Sequence, residues 1–144
     1  QNIQSIKDMN NKVLGAQAGS SGYLDFEAQP DLLKNQVKDQ KANQYQSFNE
    51  ALIDLKNDRI DALLIDRVYA NYYLQSEGIL NDYIVFSAGF ESESFAVGVR
   101  PADKTLLATL NQAFVELYKE GKFQEISQKW FGEDVATSQV KNQE

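Results

Sequence analysis

The sequence predicts an α/β fold built on a mainly parallel sheet. Two short apolar runs, Val13-Leu14-Gly15-Ala16 and Ala62-Leu63-Leu64-Ile65, are each followed by a polar turn and a helical stretch. The second run is continuous and bounded by Asp61 and Asp66, the pattern of a parallel strand buried on both faces. Elsewhere apolar residues recur at three- and four-residue steps, as helices packed on one side require.

Taken in order, residues 13–16 read as a short buried strand and residues 19–22 as a turn. Tyr23-Leu24-Asp25-Phe26 begins a helix that Pro30 breaks or restarts. Pro30-Asp31-Leu32-Leu33 suits the first turn of a second helical piece, because proline is tolerated there. Ser47-Phe48-Asn49-Glu50 is a capping box ahead of Ala51, Leu52 and Leu55, and that helix is expected to end near Asn57-Asp58. Asp58-Arg59-Ile60-Asp61 reads as an exposed charged turn. Asp66 opens a further helix with Val68, Tyr69, Tyr72 and Tyr73 on its apolar side, and Gly78 ends it. Residues 83–86 and 95–99 read as strands. After Pro101-Ala102-Asp103 comes the clearest helix, with Leu106, Leu107, Leu110, Phe114, Leu117 and Tyr118 in helical register, stopped by Gly121. A last helix carries Phe123, Ile126 and Trp130. Beyond Gly132 the tail is polar, lacks periodicity and reads as loose. The two final helices have a broad apolar stripe that needs a covering surface.

Composition narrows the function. With 144 residues, 42% hydrophobic and 24% charged, the chain suits one modest domain with a core. No apolar run approaches the roughly 18–20 residues of a membrane helix. Gln1 is not an initiator and no signal-peptide pattern follows it, so a processed or truncated piece of a longer protein is expected. A net charge of −7 without a Lys/Arg cluster points away from nucleic acid and from anionic membranes. The sequence has no cysteine and no histidine. That rules out, within this chain, thiol nucleophiles, Cys/His zinc sites and a Ser-His triad, and removes the commonest general base. No catalytic residue, metal ligand or cofactor is expected.

Two segments place polar groups where ligands of open parallel sheets sit, outside the carboxyl ends of the strands. Gly19-Ser20-Ser21-Gly22 lies at a strand-to-helix turn. It is either a serine cap in a glycine turn or a cradle for an anion, since a helix N-terminus offers free N–H groups and partial positive charge. It is neither a phosphate loop nor a GxGxxG fingerprint. Ile65-Asp66 ends the apolar strand, and Asp66 is either a helix cap or the acceptor for a ligand ammonium. An anion cradle beside a cation acceptor suits an amino acid. Tyr69, Tyr72 and Tyr73 read as packing, and Glu91 and Glu93 as solvated.

At these residues the chain resembles the substrate-binding proteins of polar amino-acid ABC transporters, a periplasmic-binding-protein type. The resemblance covers nearly the whole chain. It rests on Ser5-Ile6-Lys7-Asp8-Met9 with VLGAQAGSSG, on FNEALIDLKNDRIDALLIDRVYANYYL, and on ESFAVGVRPADKTLLATLNQAFVELYKEGKFQEISQKWFG, in that order. It implies a three-layer α/β lobe with a parallel sheet, the first lobe of the pair being mostly absent from this sequence. Residues 1–96 then form the second lobe, 97–133 a crossover strand and helices returning to the first lobe, and 134–144 a polar tail. The resemblance assigns the ligand's α-ammonium to Asp66 and its α-carboxylate to Ser20 and Ser21 in the turn begun by Gly19. It puts Gln17 and Ile65 in the pocket wall, and an arginine and side-chain-wrapping aromatics on the first lobe. The implied function is capture of an amino acid outside the cytoplasm and delivery to ABC permease subunits in the membrane. The implied location is the periplasm, or the surface of a Gram-positive cell through a lipid anchor. Neutral Gln17 leans toward a polar uncharged ligand such as glutamine or cystine. Leu106, Leu110, Phe114 and Trp130 are expected to be covered by first-lobe protein or by a second copy, as a homodimer or a swapped assembly. A sensor domain of the same architecture, and an enzyme using Asp66 on a small acid, are the alternative readings.

Overall fold

The computed structural model of the chain describes residues 3–141. Three strands, β1 (Leu14–Gln17), β2 (Ala42–Tyr45) and β3 (Ala62–Leu64), form one sheet in the order β2-β1-β3. Both pairings are parallel, with Leu14 opposite Ala42 on one side and Ala62 on the other. Helix α1 (Ser21–Ala28) lies in the crossover from β1 to β2, and α2 (Phe48–Lys56) in the crossover from β2 to β3. These crossovers traverse the sheet in opposite directions, so right-handed connections send the two helices to opposite faces.

Side-chain alternation matches that arrangement. Leu14, Ala16 and Ala42 share a buried core with Phe26 of α1 and with Met9, Leu33 and Val37, while Ala62 and Leu64 pack against it. On the other face the Tyr45 hydroxyl donates to Asp54 of α2 at 2.9 Å. Gly15 also looks that way. A Cβ there would lie 2.6 Å from Ile60 Cδ1 and 3.1 Å from Tyr45 Cε2, so the close approach requires glycine. The predicted three-layer α/β lobe with a parallel sheet is borne out.

The later helices are α3 (Arg67–Ser76), α4 (Lys104–Lys119), α5 (Lys122–Phe131) and a single turn, α6 (Ser138–Lys141). Helix α5 packs on both α3 and α4. Tyr72 and Trp130 meet with ring centroids 6.2 Å apart. Glu133 accepts from Arg67 Nη1 at 3.3 Å and Asn71 Nδ2 at 3.2 Å, tying the end of α5 to the start of α3. Leu110 and Phe114 are half-buried, whereas Leu106, Leu107, Ile126 and Trp130 are exposed.

Several expectations are corrected. Residues 83–86 and 95–99 form no strand, because among the described residues no neighbouring strand is there to pair with them; Ile84, Phe95 and Val97 stand more than half exposed. Strand β2 carries Asn43 and Gln44, both exposed, and so has no apolar signature. Residues 30–36 are successive turns rather than a helix. Ile60 is buried, and Asp61 accepts the Val13 N–H at 2.7 Å, so the charged turn before β3 is only partly exposed. Residues 138–141 of the tail form a helical turn against α4, held by Lys141 and Asp134 at 3.0 Å; the last three residues lie outside the described range.

Two stability predictions follow from this packing. Phe26→Ala, at a fully buried side chain, is expected to cost about 3–5 kcal/mol, while Leu106→Ala at the exposed stripe should stay within about 0.5 kcal/mol, both read by denaturant unfolding of this chain. Asp54 accepts from Arg59 Nη1 at 2.7 Å and from the Tyr45 hydroxyl, and these bonds hold its carboxyl below the ordinary value of 3.8. A depressed folded pKa adds stability that is full above the unfolded value and fades as pH falls through the folded one. Asp54→Asn should therefore melt below the parent at pH 7, with the gap closing in melting curves taken below pH 3.8.

Candidate functional site

Because β1 and β3 are adjacent and parallel, with Ala16 opposite Leu64, their carboxyl ends reach the same edge. Two residues past the paired ends lie Ala18 and Asp66.

The chain leaves β1 through a turn at Gly19, whose φ of +69° is left-handed and favours glycine. Ser20 then caps α1. Its Oγ accepts the Tyr23 N–H at 3.2 Å and donates to the Gln17 carbonyl at 2.9 Å. The N–H groups of Ser21 and Gly22 have no acceptor among the described residues, which leaves two donors open at the positive end of the helix. A Cβ at Gly22 would sit 3.6 Å from Leu64 Cγ, so the first turn of α1 lies over the end of β3.

Ile65 and Asp66 follow β3, both half-buried. Asp66 caps α3, its Oδ1 accepting the Tyr69 N–H at 2.8 Å. Among the described residues Oδ2 has no partner and is available to a second donor. Tyr69 packs at 5.2 Å on Phe48 and donates to Asn49 Oδ1 at 3.3 Å, giving the edge an aromatic flank.

The predicted site residues are not all brought together. Gly19, Ser20 and Ser21 form one turn, and Ile65 and Asp66 begin the next, one strand away. Gln17 reaches the other way, its Nε2 donating to the Gln46 carbonyl beyond β2 at 3.2 Å. Sequence reasoning also missed a residue. The Ser21 hydroxyl donates to Glu93 Oε2 at 2.7 Å, a contact spanning 72 residues that no local pattern announces. Two cavities lie elsewhere: about 340 Å³ beside Phe114 and Val140, and about 280 Å³ beside Lys38 and Arg59. The site is thus an open edge. It can pair N–H donors with an anion and a carboxylate oxygen with a cation. Among the described residues no cluster of acidic side chains could hold a metal ion, and no helix is long and apolar enough to cross a membrane.

Comparison with known proteins gives the following. Residues 6–133 match the family of bacterial extracellular solute-binding proteins, family 3. A histidine-bound ABC uptake transporter substrate-binding protein from Streptococcus pneumoniae is 71% identical, with a TM-score of 0.79 over 94% of this chain and 55% of that one. A polar amino acid ABC uptake transporter substrate-binding protein from Streptococcus thermophilus is 62% identical, with a TM-score of 0.77 over 96% of this chain and 53% of that one. The L-cystine-binding protein TcyJ of Escherichia coli K12 is 30% identical over 92% of this chain and 47% of its own length. The chain spans about half the length of the curated relatives it matches.

The capping bond at Asp66 yields a prediction separate from any ligand. Asp66→Ala should destabilise the chain by about 1 kcal/mol, whereas Asp66→Asn, which keeps a capping oxygen, should cost a few tenths at most, as measured by thermal unfolding.

Proposed function

The chain belongs to the bacterial extracellular solute-binding proteins of family 3, and from that premise we propose that it forms the ligand-gripping half of an amino-acid receptor serving an ABC importer. The observation that carries the reading is the adjacency of two parallel strand ends. One presents open N–H groups on the first turn of α1, and the next presents Asp66 Oδ2. A zwitterion matches that pair. The Ser21 and Gly22 amides take its α-carboxylate, with the Ser21 hydroxyl, and Asp66 takes its α-ammonium. Ser20 and Gly19 shape the turn and Ile65 borders the ligand, while Gln17, turned toward Gln46, stands apart from it.

Family members are binding proteins, and the edge is organised for holding rather than for reaction. Residues 1–96 form one lobe of a cleft in this reading. Residues 97–133 return to the first lobe, supplied by the rest of a longer protein, which contributes the carboxylate arginine and the side-chain pocket. Ligand contacts to both lobes then favour the closed state and present it to permease subunits. The receptor works outside the cytoplasm, in a periplasm or tethered by lipid to a Gram-positive surface. The bound histidine of the 71% identical neighbour makes L-histidine the first ligand to test.

The test is a thermal-shift screen of the chain against the twenty amino acids and L-cystine. A ligand present at about 100 times its Kd adds about 2.7 kcal/mol to stability, a shift of several degrees. L-histidine should raise the melting temperature, and Asp66→Asn, which preserves the helix cap, should abolish the shift. A shift that survives Asp66→Asn would refute the assignment of the ammonium.

A further inference from the structure

We propose that Glu93 is a built-in competitor for the ligand's carboxylate at the first turn of α1, an inference that rests on the amino-acid-binding reading of that turn. The Ser21 hydroxyl has one proton to give, and it gives it to Glu93 Oε2 at 2.7 Å. An amino acid bound at the same turn needs that proton and the same positively polarised helix end.

The contact is not a by-product of local chain geometry. Glu93 lies in the segment 83–99, which has no helix or strand, and reaches α1 from 72 residues away. Glu27, Glu77, Glu120 and Glu133 pair with Lys34, Lys56, Lys122 and Arg67. Glu93 makes no ion pair among the described residues. Glu50, Glu91, Glu116 and Glu125 likewise make none there, so what distinguishes Glu93 is its long-range bond to the cradle serine. The nearest arginine in sequence, Arg100, is engaged by Asp103 at 2.7 Å. Glu93 thus holds the hydroxyl donor of the cradle, leaves the Ser21 and Gly22 amides open, and has no cation to hold it elsewhere among the described residues.

Ser21 and Glu93 are both exposed. An exposed charge-assisted bond is weak enough to open and close freely, so an incoming carboxylate can replace Glu93. The binding-competent population is the fraction with the Ser21 hydroxyl released, and apparent affinity falls by that fraction.

The test follows the amide resonances of Ser21 and Gly22 in the isotope-labelled chain during titration with L-histidine. A parallel titration uses histamine, which keeps the ammonium and the imidazole but lacks the carboxylate. Glu93→Gln should tighten L-histidine by about three- to tenfold and leave histamine unchanged. Equal L-histidine affinities in parent and variant would overturn the proposal. So would weakening of both ligands, which would make Glu93 an attractor for the ligand's cation. If Asp66→Asn weakens L-histidine while Glu93→Gln changes nothing, the inference about Glu93 fails and the amino-acid reading stands. If L-histidine moves neither amide in any variant, both fail.

Discussion

Parallel pairing of β1 with both neighbours governs everything at the functional edge. Parallel strands deliver their carboxyl ends to one side, and each of these ends turns directly into a helix. Three helix N-termini therefore gather along a short line, capped by Ser20, Ser47 and Asp66. Each cap accepts an N–H from three residues on, at Tyr23, Glu50 and Tyr69. The N-terminus of each of α1, α2 and α3 thus follows the carboxyl end of a strand, carrying its partial positive charge there. The missing side chain of Gly15 lets Ile60 and Tyr45 close over β1. The opposite edge has a different character. Asn11, Asp39, Gln40 and Asp58 all adopt left-handed conformations in the loops that enter the strands, beside Lys38, Lys41 and Arg59.

Helix capping does not use up the polar atoms of this edge. Asp66 has two carboxylate oxygens: Oδ1 holds α3 and Oδ2 is left over. Ser20 has no proton left over, since its own goes to the Gln17 carbonyl while its oxygen receives Tyr23. Ser20 thus sets the turn, and the donors that the proposed reading gives to an anion are the Ser21 and Gly22 amides with, once Glu93 releases it, the Ser21 hydroxyl. The two serines that look equivalent in the sequence do different work.

How much was legible follows from how local each signal is. Helix limits were readable because caps and glycines act within a few residues. Gly121 and Gly132 sit in left-handed conformations at the ends of α4 and α5, as their positions suggest. The placement of Asp66 after an apolar strand was readable for the same reason. Strand β2 was not, because a short strand on the outside of the sheet needs few apolar residues, and Asn43 and Gln44 face solvent. Residues 83–86 and 95–99 erred in the opposite sense: their β-branched and aromatic residues favour a strand, but a strand exists only with a partner. The Ser21–Glu93 bond was out of reach for a sequence argument, since only the fold brings those positions together.

The same segment joins the stability question to the binding question. Phe95 is 71% exposed and Val97 55%, and Leu106 and Trp130 are near half. Burying one such side chain fully is worth about 1.5–3 kcal/mol, so an apolar surface of this extent strongly favours being covered. A strand that paired with residues 95–99 would remove Phe95 and Val97 from water and fix the backbone path just before them. Glu93 lies two residues upstream of Phe95. Its reach to Ser21 would then be set by that pairing rather than by the free excursions of an unpartnered segment. Covering the apolar surface would therefore fix the backbone two residues from the carboxylate that holds the Ser21 hydroxyl, and so bears on how Glu93 reaches the turn.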